Sequence, residues 1–121
     1  MRQRILPEEH EDIATSMNNL ASSYSDLGMH REALQLKKDA FAMFQRILPE
    51  EHEDIARSMG NLAESYSALG MHREALQLKK DTLAMFQRIL PEEHEDIATS
   101  LGNLAELYSA LTAASLSTIS L

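Results

Sequence analysis

Three histidines, each set in the same acidic phrase, are the side chains best placed to do chemistry. His10, His52 and His94 each sit inside Arg-Ile-Leu-Pro-Glu-Glu-His-Glu-Asp-Ile-Ala, which begins at Arg4, Arg46 and Arg88. A histidine among carboxylates is the raw material of a metal site or an acid–base pair. The spacing argues against both. Two ligands on one helix face need His-Glu-x-x-His, whereas each histidine here is followed by Glu-Asp-Ile-Ala. Equivalent helices in a stack lie about 8–10 Å apart, too far for three copies to share an ion at Zn–N distances of ~2.0 Å. There is no cysteine, no Gly-x-Ser-x-Gly elbow and no glycine-rich phosphate loop. A hydrolytic carboxylate pair needs two unlike environments in one cleft, and near-identical repeats supply like ones. The sequence therefore offers no catalytic residue, no metal ligand and no cofactor site, and the phrase reads as linker and helix-start chemistry.

The phrase recurs with a fixed offset of 42 residues. A period in that range marks a repeat array. The repeats run over 4–45 and 46–87, followed by a partial third over 88–111 and a diverged tail over 112–121. The two full units differ at six positions: Thr15/Arg57, Asn18/Gly60, Ser22/Glu64, Asp26/Ala68, Ala40/Thr82 and Phe41/Leu83. Units this similar imply recent duplication, or a designed or consensus-type sequence.

Each unit reads as two helices. Ile13, Met17, Leu20, Tyr24 and Leu27 follow helical spacing and make one apolar stripe. Gly28 closes that helix. In the second helix, Ala33, Leu36, Ala40, Phe44 and Ile47 form a stripe widened by Leu34, Phe41, Met43 and Leu48, a breadth that implies cover from two sides. Pro49 ends it, because the residue before a proline is pushed out of helical geometry. The acidic run at Glu50–Asp54 opens the next first helix, where the macrodipole favours negative charge. Lys37, Lys38 and Arg46 fall in the latter half of the second, where it favours cations.

Composition narrows the partner class. Asp and Glu outnumber Lys and Arg by 19 to 11, for a net charge of −8. That disfavours nucleic acid, whose binding rests on cations meeting phosphates, and anionic membrane surfaces. No stretch approaches the roughly 18 apolar residues of a membrane span, and no signal-peptide-like run follows the N-terminus. The absence of cysteine suits a reducing compartment. A cytoplasmic, intracellular protein is the expectation.

A helix–turn–helix repeat carrying Met59-x2-Leu62-Ala63-x2-Tyr66, then Gly70 and Ala75, resembles the tetratricopeptide repeat. Lys79 stands at that pattern's Phe position and Pro91 comes about a turn late. The 42-residue period exceeds the usual 34. The longer form is similar to the repeats of kinesin light chains, through Asn61-Leu62-Ala63, Gly70, Glu74-Ala75 and the linker Leu90 to Ala98. The resemblance covers Arg4 to Leu111. It implies an all-α fold, a right-handed α-α superhelix of antiparallel helix pairs, built as a solenoid of about two and a half repeats.

Such an array implies a non-enzymatic interaction module that binds an extended segment of a partner protein in the groove of its first helices. Positions 15, 18, 22 and 26, which vary between units, fall on a narrow arc opposite the Ile13–Leu27 stripe. The resemblance makes Thr15, Asn18, Ser22, Arg57, Gly60, Glu64, Thr99, Gly102 and Glu106 groove-lining residues. Beside them runs a repeated asparagine, Asn19, Asn61 and Asn103, which in the family often reaches a peptide backbone. A local helix contact is the alternative role for that asparagine, and ordinary variation of a solvent face is the alternative cause of the differences.

The tail suggests a second function. Thr112 replaces the helix-stopping glycine, and the His-Arg-Glu-Ala segment is gone. Leu116, Ile119 and Leu121 offer a weak apolar edge. Solenoids need polar capping units, and this chain has no evident one. The tail is therefore expected to dock as a second helix or to meet a neighbouring chain. The alternative function is a self-associating structural array whose ends pair, with no dedicated ligand.

Overall fold

In the computed structural model the backbone is described over residues 9–119 and the side chains through 113. Five α-helices follow one another: α1 Glu11–Asp26, α2 His30–Ile47, α3 Glu53–Ala68, α4 His72–Ile89 and α5 Glu95–Ile119. Among the described residues there is no strand. Each helix packs on the next along the chain, and α1 also meets α3. This is an all-α helical repeat of two helix pairs followed by a further first helix.

The acidic phrase starts each first helix by a route the sequence only half discloses. Histidine is the N-cap. The Nδ1 atoms of His10, His52 and His94 accept the backbone N–H of Asp12, Asp54 and Asp96, each at 3.0 Å. They satisfy a donor that a helix start leaves without an intrahelical partner. The neutral ring nitrogen does here what Ser, Thr or Asp does elsewhere. Glu11 and Asp12, like Glu53 and Asp54, fill the first turn where the dipole favours them.

Reversal after each first helix depends on glycine. Gly28 and Gly70 take φ values of +79° and +77°, a left-handed conformation that side chains resist. Gly28 N–H donates to the Ser25 carbonyl and Met29 N–H to the Tyr24 carbonyl, at 2.9 and 2.8 Å. Gly70 and Met71 repeat the pattern onto Ser67 and Tyr66. At the equivalent position of the third unit stands Thr112, inside α5, and the chain does not reverse there. It runs on as helix to Ile119, for 25 residues in all. The docked second helix expected of the tail is thus replaced by an extension of α5, because no left-handed residue turns it back. The apolar edge expected of Leu116, Ile119 and Leu121 lies outside the described side chains.

The core joins Ala40, Met43 and Phe44 of α2 to Ala14 of α1 and to Ile55, Ala56 and Met59 of α3. Met85 and Phe86 of α4, with Ile97 of α5, extend it. The stripe read on the first helix is buried furthest in α3, at Ile55, Met59 and Leu62. Leu62 is 5% exposed there, while its counterpart Leu20 in α1 is 50% exposed. No described helix precedes α1, so its outer face lacks the cover that α2 gives α3.

Replacing the capping histidine tests the helix-start geometry. His52→Ala is expected to cost about 1 kcal/mol of unfolding free energy in urea denaturation, and His52→Asn to recover most of it.

Candidate functional site

The first helices form the walls of two clefts, and the second helices form their floors. The cleft between α3 and α5 encloses about 250 Å³. Arg57, Gly60, Asn61 and Glu64 line it from α3, and Asp96, Thr99, Ser100 and Asn103 from α5. Thr82 and Phe86 of α4 close the bottom. Helical spacing in α3 sets 57, 60, 61 and 64 on one face. The opposite face carries Ile55, Met59 and Leu62 into the interior, so burial of one set aims the other into the cleft.

The second cleft, of about 260 Å³, lies between α1 and α3. Ser22, Ser25, Asp26, His30, Lys37, Glu64 and Ala68 line it. Glu64 belongs to both clefts and stands between Lys37 of α2 and Lys79 of α4, which lines the inner part of the α3–α5 cleft.

The expected residues thus divide. Arg57, Asn61, Glu64, Thr99 and Asn103 come together with Gly60 in the α3–α5 cleft. Ser22 joins Glu64 in the other. Asn18 is half-buried and turned to its neighbour, its Nδ2 donating to Ser58 Oγ at 3.4 Å. Thr15, Asn19, Gly102 and Glu106 are exposed and line neither cleft. The asparagine row therefore brings Asn61 and Asn103 together in one cleft, with Asn19 apart from them.

The floor residues Lys37, Lys79, Thr82 and Phe86 lie outside the set expected from the first helices. Two signals pointed to them. Thr82 is one of the six positions at which the units differ, and Lys79 stands where the repeat pattern has Phe.

Arg57 braces the rim. Its guanidinium donates to Glu53 and Asp54 on its own helix, at 2.7 and 3.2 Å, and across to Asp96 of α5 at 3.0 Å. Partial burial would lower its pKa, but the hydrogen bonds and charges of Glu53 and Asp96 outweigh that and hold it above the ordinary value. Thr15 and Thr99 stand at the same place in the other units and carry no such charge. Nearer the floor of the other cleft, Lys37 is 6% exposed. Burial pushes its ammonium below the ordinary lysine range, and Glu64 opposes that only in part.

Gly60 sits mid-helix, where glycine costs about 0.5–1 kcal/mol relative to alanine. Space does not require it. A Cβ added there would meet only the Thr82 side chain, at 3.7 Å, an ordinary contact.

Among the described residues no group of three or more His, Asp or Glu gathers as metal ligands would, and each capping histidine turns Nδ1 to its own helix. Among them, too, no helix is long and apolar enough to cross a membrane.

The depressed Lys37 pKa has a signed consequence. The unfolded chain binds this proton more tightly than the folded one, so stability rises with pH across the window below the ordinary value of 10.5. Lys37→Met is expected to raise the melting temperature at pH 7. Its advantage over the parent chain should shrink as the pH approaches 10.5, as a melting series across pH would register.

Known proteins share this architecture. The tetratricopeptide repeat family matches twice, over residues 12–88 and 54–115. A solved structure from Podosopora anserina, described as a kinesin light chain with nearly identical TPR-like repeats, is 30% identical with a TM-score of 0.78. The match covers 87% of this chain and 50% of that one. BtubC (BKLC) from P. vanneervenii is 26% identical with a TM-score of 0.80, over 87% of this chain and 42% of that one. The chain thus spans half or less of the length of these solved relatives. No curated protein matches it. On the overlapping family matches and the shared helix-pair fold, the chain belongs to the tetratricopeptide repeat family.

Proposed function

We propose that the chain is a non-enzymatic, cytoplasmic protein-interaction module that binds an extended segment of a partner along the face of its first helices. The observation that carries this reading is the α3–α5 cleft, in which Arg57, Asn61, Glu64, Thr99 and Asn103 converge above an α4 floor. Amide side chains on both walls suit a peptide backbone, which offers a donor and an acceptor at nearly every residue. Membership of a repeat family whose arrays present extended concave surfaces supports the same reading. The net charge of −8 argues against a nucleic acid or an anionic membrane in that place.

The outer face of α1 favours a second reading, self-association. Ile13, Met17 and Leu20 border an open hollow of about 260 Å³ there, although the same residue types are buried in α3. The two readings separate by experiment. Peptides selected from a phage-displayed library of random 12-residue sequences are expected to bind the full chain. Asn61→Ala combined with Asn103→Ala should weaken them about tenfold, the loss of one or two net hydrogen bonds. The double variant should keep the parent melting profile. A light-scattering mass that climbs with concentration and falls back for Leu20→Glu, with no peptide recovered, would favour self-association instead.

A further inference from the structure

The two first-helix junctions are built from nearly the same sequence, yet they differ at the spot where a partner side chain would enter. At the α1–α3 junction, Asn18 reaches across to the buried Ser58 hydroxyl. The residues one repeat later are Gly60 and Ser100. There the carboxamide is missing, and Ser100 faces the cleft beside Gly60 and Asn103. The floor changes in step. Ala40, on the second helix of the first unit, becomes Thr82 in the next, and Thr82 is the side chain nearest to Gly60. Thr82 donates its hydroxyl to the Leu78 carbonyl at 2.7 Å, so its own hydrogen is spent within α4.

Three further observations bear on the gap at Gly60. The helices have not closed on it: Cα atoms of α1 and α3 approach within 8 Å, whereas among the described residues none of α3 and α5 do. Packing does not demand it either, since a Cβ at Gly60 would make only ordinary contact with Thr82. And α3 carries the cost of an interior glycine without steric need.

The geometry points to a side-chain pocket at Gly60 that accepts a carboxamide, Asn or Gln, from the bound segment and pairs it with the Ser100 hydroxyl. This rests on the peptide-binding reading above and names what that site selects. The chain supplies the template, since its own Asn18 carboxamide holds the equivalent place one repeat earlier. Charge is consistent with a neutral guest. Arg57 is tied to Glu53, Asp54 and Asp96, and Lys79 and Glu64 face the pocket with opposite signs.

The test uses the full chain and peptides selected on it from a phage-displayed library of random 12-residue sequences. The selected peptides are expected to share one Asn or Gln, and replacing it with Ala should weaken binding about tenfold. Gly60→Asn, which fills the pocket from the protein side, should weaken the parent peptide by a similar factor. It should also erase the difference between that peptide and its Ala version. Gly60→Asn combined with Thr82→Ala rebuilds the Asn18–Ala40 pair of the first unit, so it separates a blocked pocket from a damaged fold. Gly60→Ala should raise the melting temperature while also weakening binding. Selected peptides that bind the parent and both Asn variants equally would overturn the pocket and leave groove binding standing. Recovery of no peptide at all would overturn both.

Discussion

Cover on both sides of every second helix is the constraint from which the architecture follows. A helix as broadly apolar as α2 cannot sit on a single neighbour. It packs on α1 and α3 at once, and α4 likewise on α3 and α5. Alanines make the close approach geometric fact: Ala14, Ala33, Ala40, Ala56, Ala63 and Ala75 are wholly buried. Between them Met43, Phe44, Met85 and Phe86 supply the larger burial, on the order of 1.5–3 kcal/mol for each such side chain taken out of water. Two short devices, a histidine cap at each first-helix start and a left-handed glycine after α1 and α3, let the chain meet that demand in a 42-residue unit.

The same constraint decides where the repeats are free to differ. Positions that pack helices together are almost unchanged between the two full units. Of the six exchanges, Arg57, Gly60, Glu64 and Thr82 border the α3–α5 cleft, and Asp26 and Ala68 both border the α1–α3 cleft. Phe41/Leu83 lies along the core, and Ala40, which Thr82 replaces in the second unit, is part of it. A nearly uniform scaffold therefore presents an uneven surface. One junction is bridged by Asn18, and the next is braced at its rim by Arg57 and open beside Gly60.

Much of this was legible from residue spacing. The stripe and its closing glycine located each first helix, and Pro49 and Pro91 marked the ends of the second helices. The arc of varying positions found most of the α3 wall. Other features depend on what surrounds a residue, which spacing does not encode. Leu20 and Leu62 hold the same place in the repeat, and only cover by a preceding helix separates the exposed one from the buried one. Histidine is an uncommon cap, so the phrase disclosed a helix start without disclosing that Nδ1 makes it. The cleft floor comes from second-helix residues whose spacing points elsewhere: Thr82 and Phe86 fall on the packing stripe, and Lys37 reads as a cation favoured by the helix dipole. Thr112 removes a turn, and of the two expectations for the tail, a docked second helix or a neighbouring chain, the first gives way to an extension of α5.

The most direct test of the account is to map backbone amide shifts by NMR as a selected peptide is titrated into the full chain. The account predicts that the largest changes fall on α3 and α5 at Arg57, Gly60, Asn61, Glu64, Thr99 and Asn103, with Thr82 on the floor responding with them. Changes confined to the outer face of α1, around Ile13, Met17 and Leu20, would contradict it and assign the partner to the end of the array.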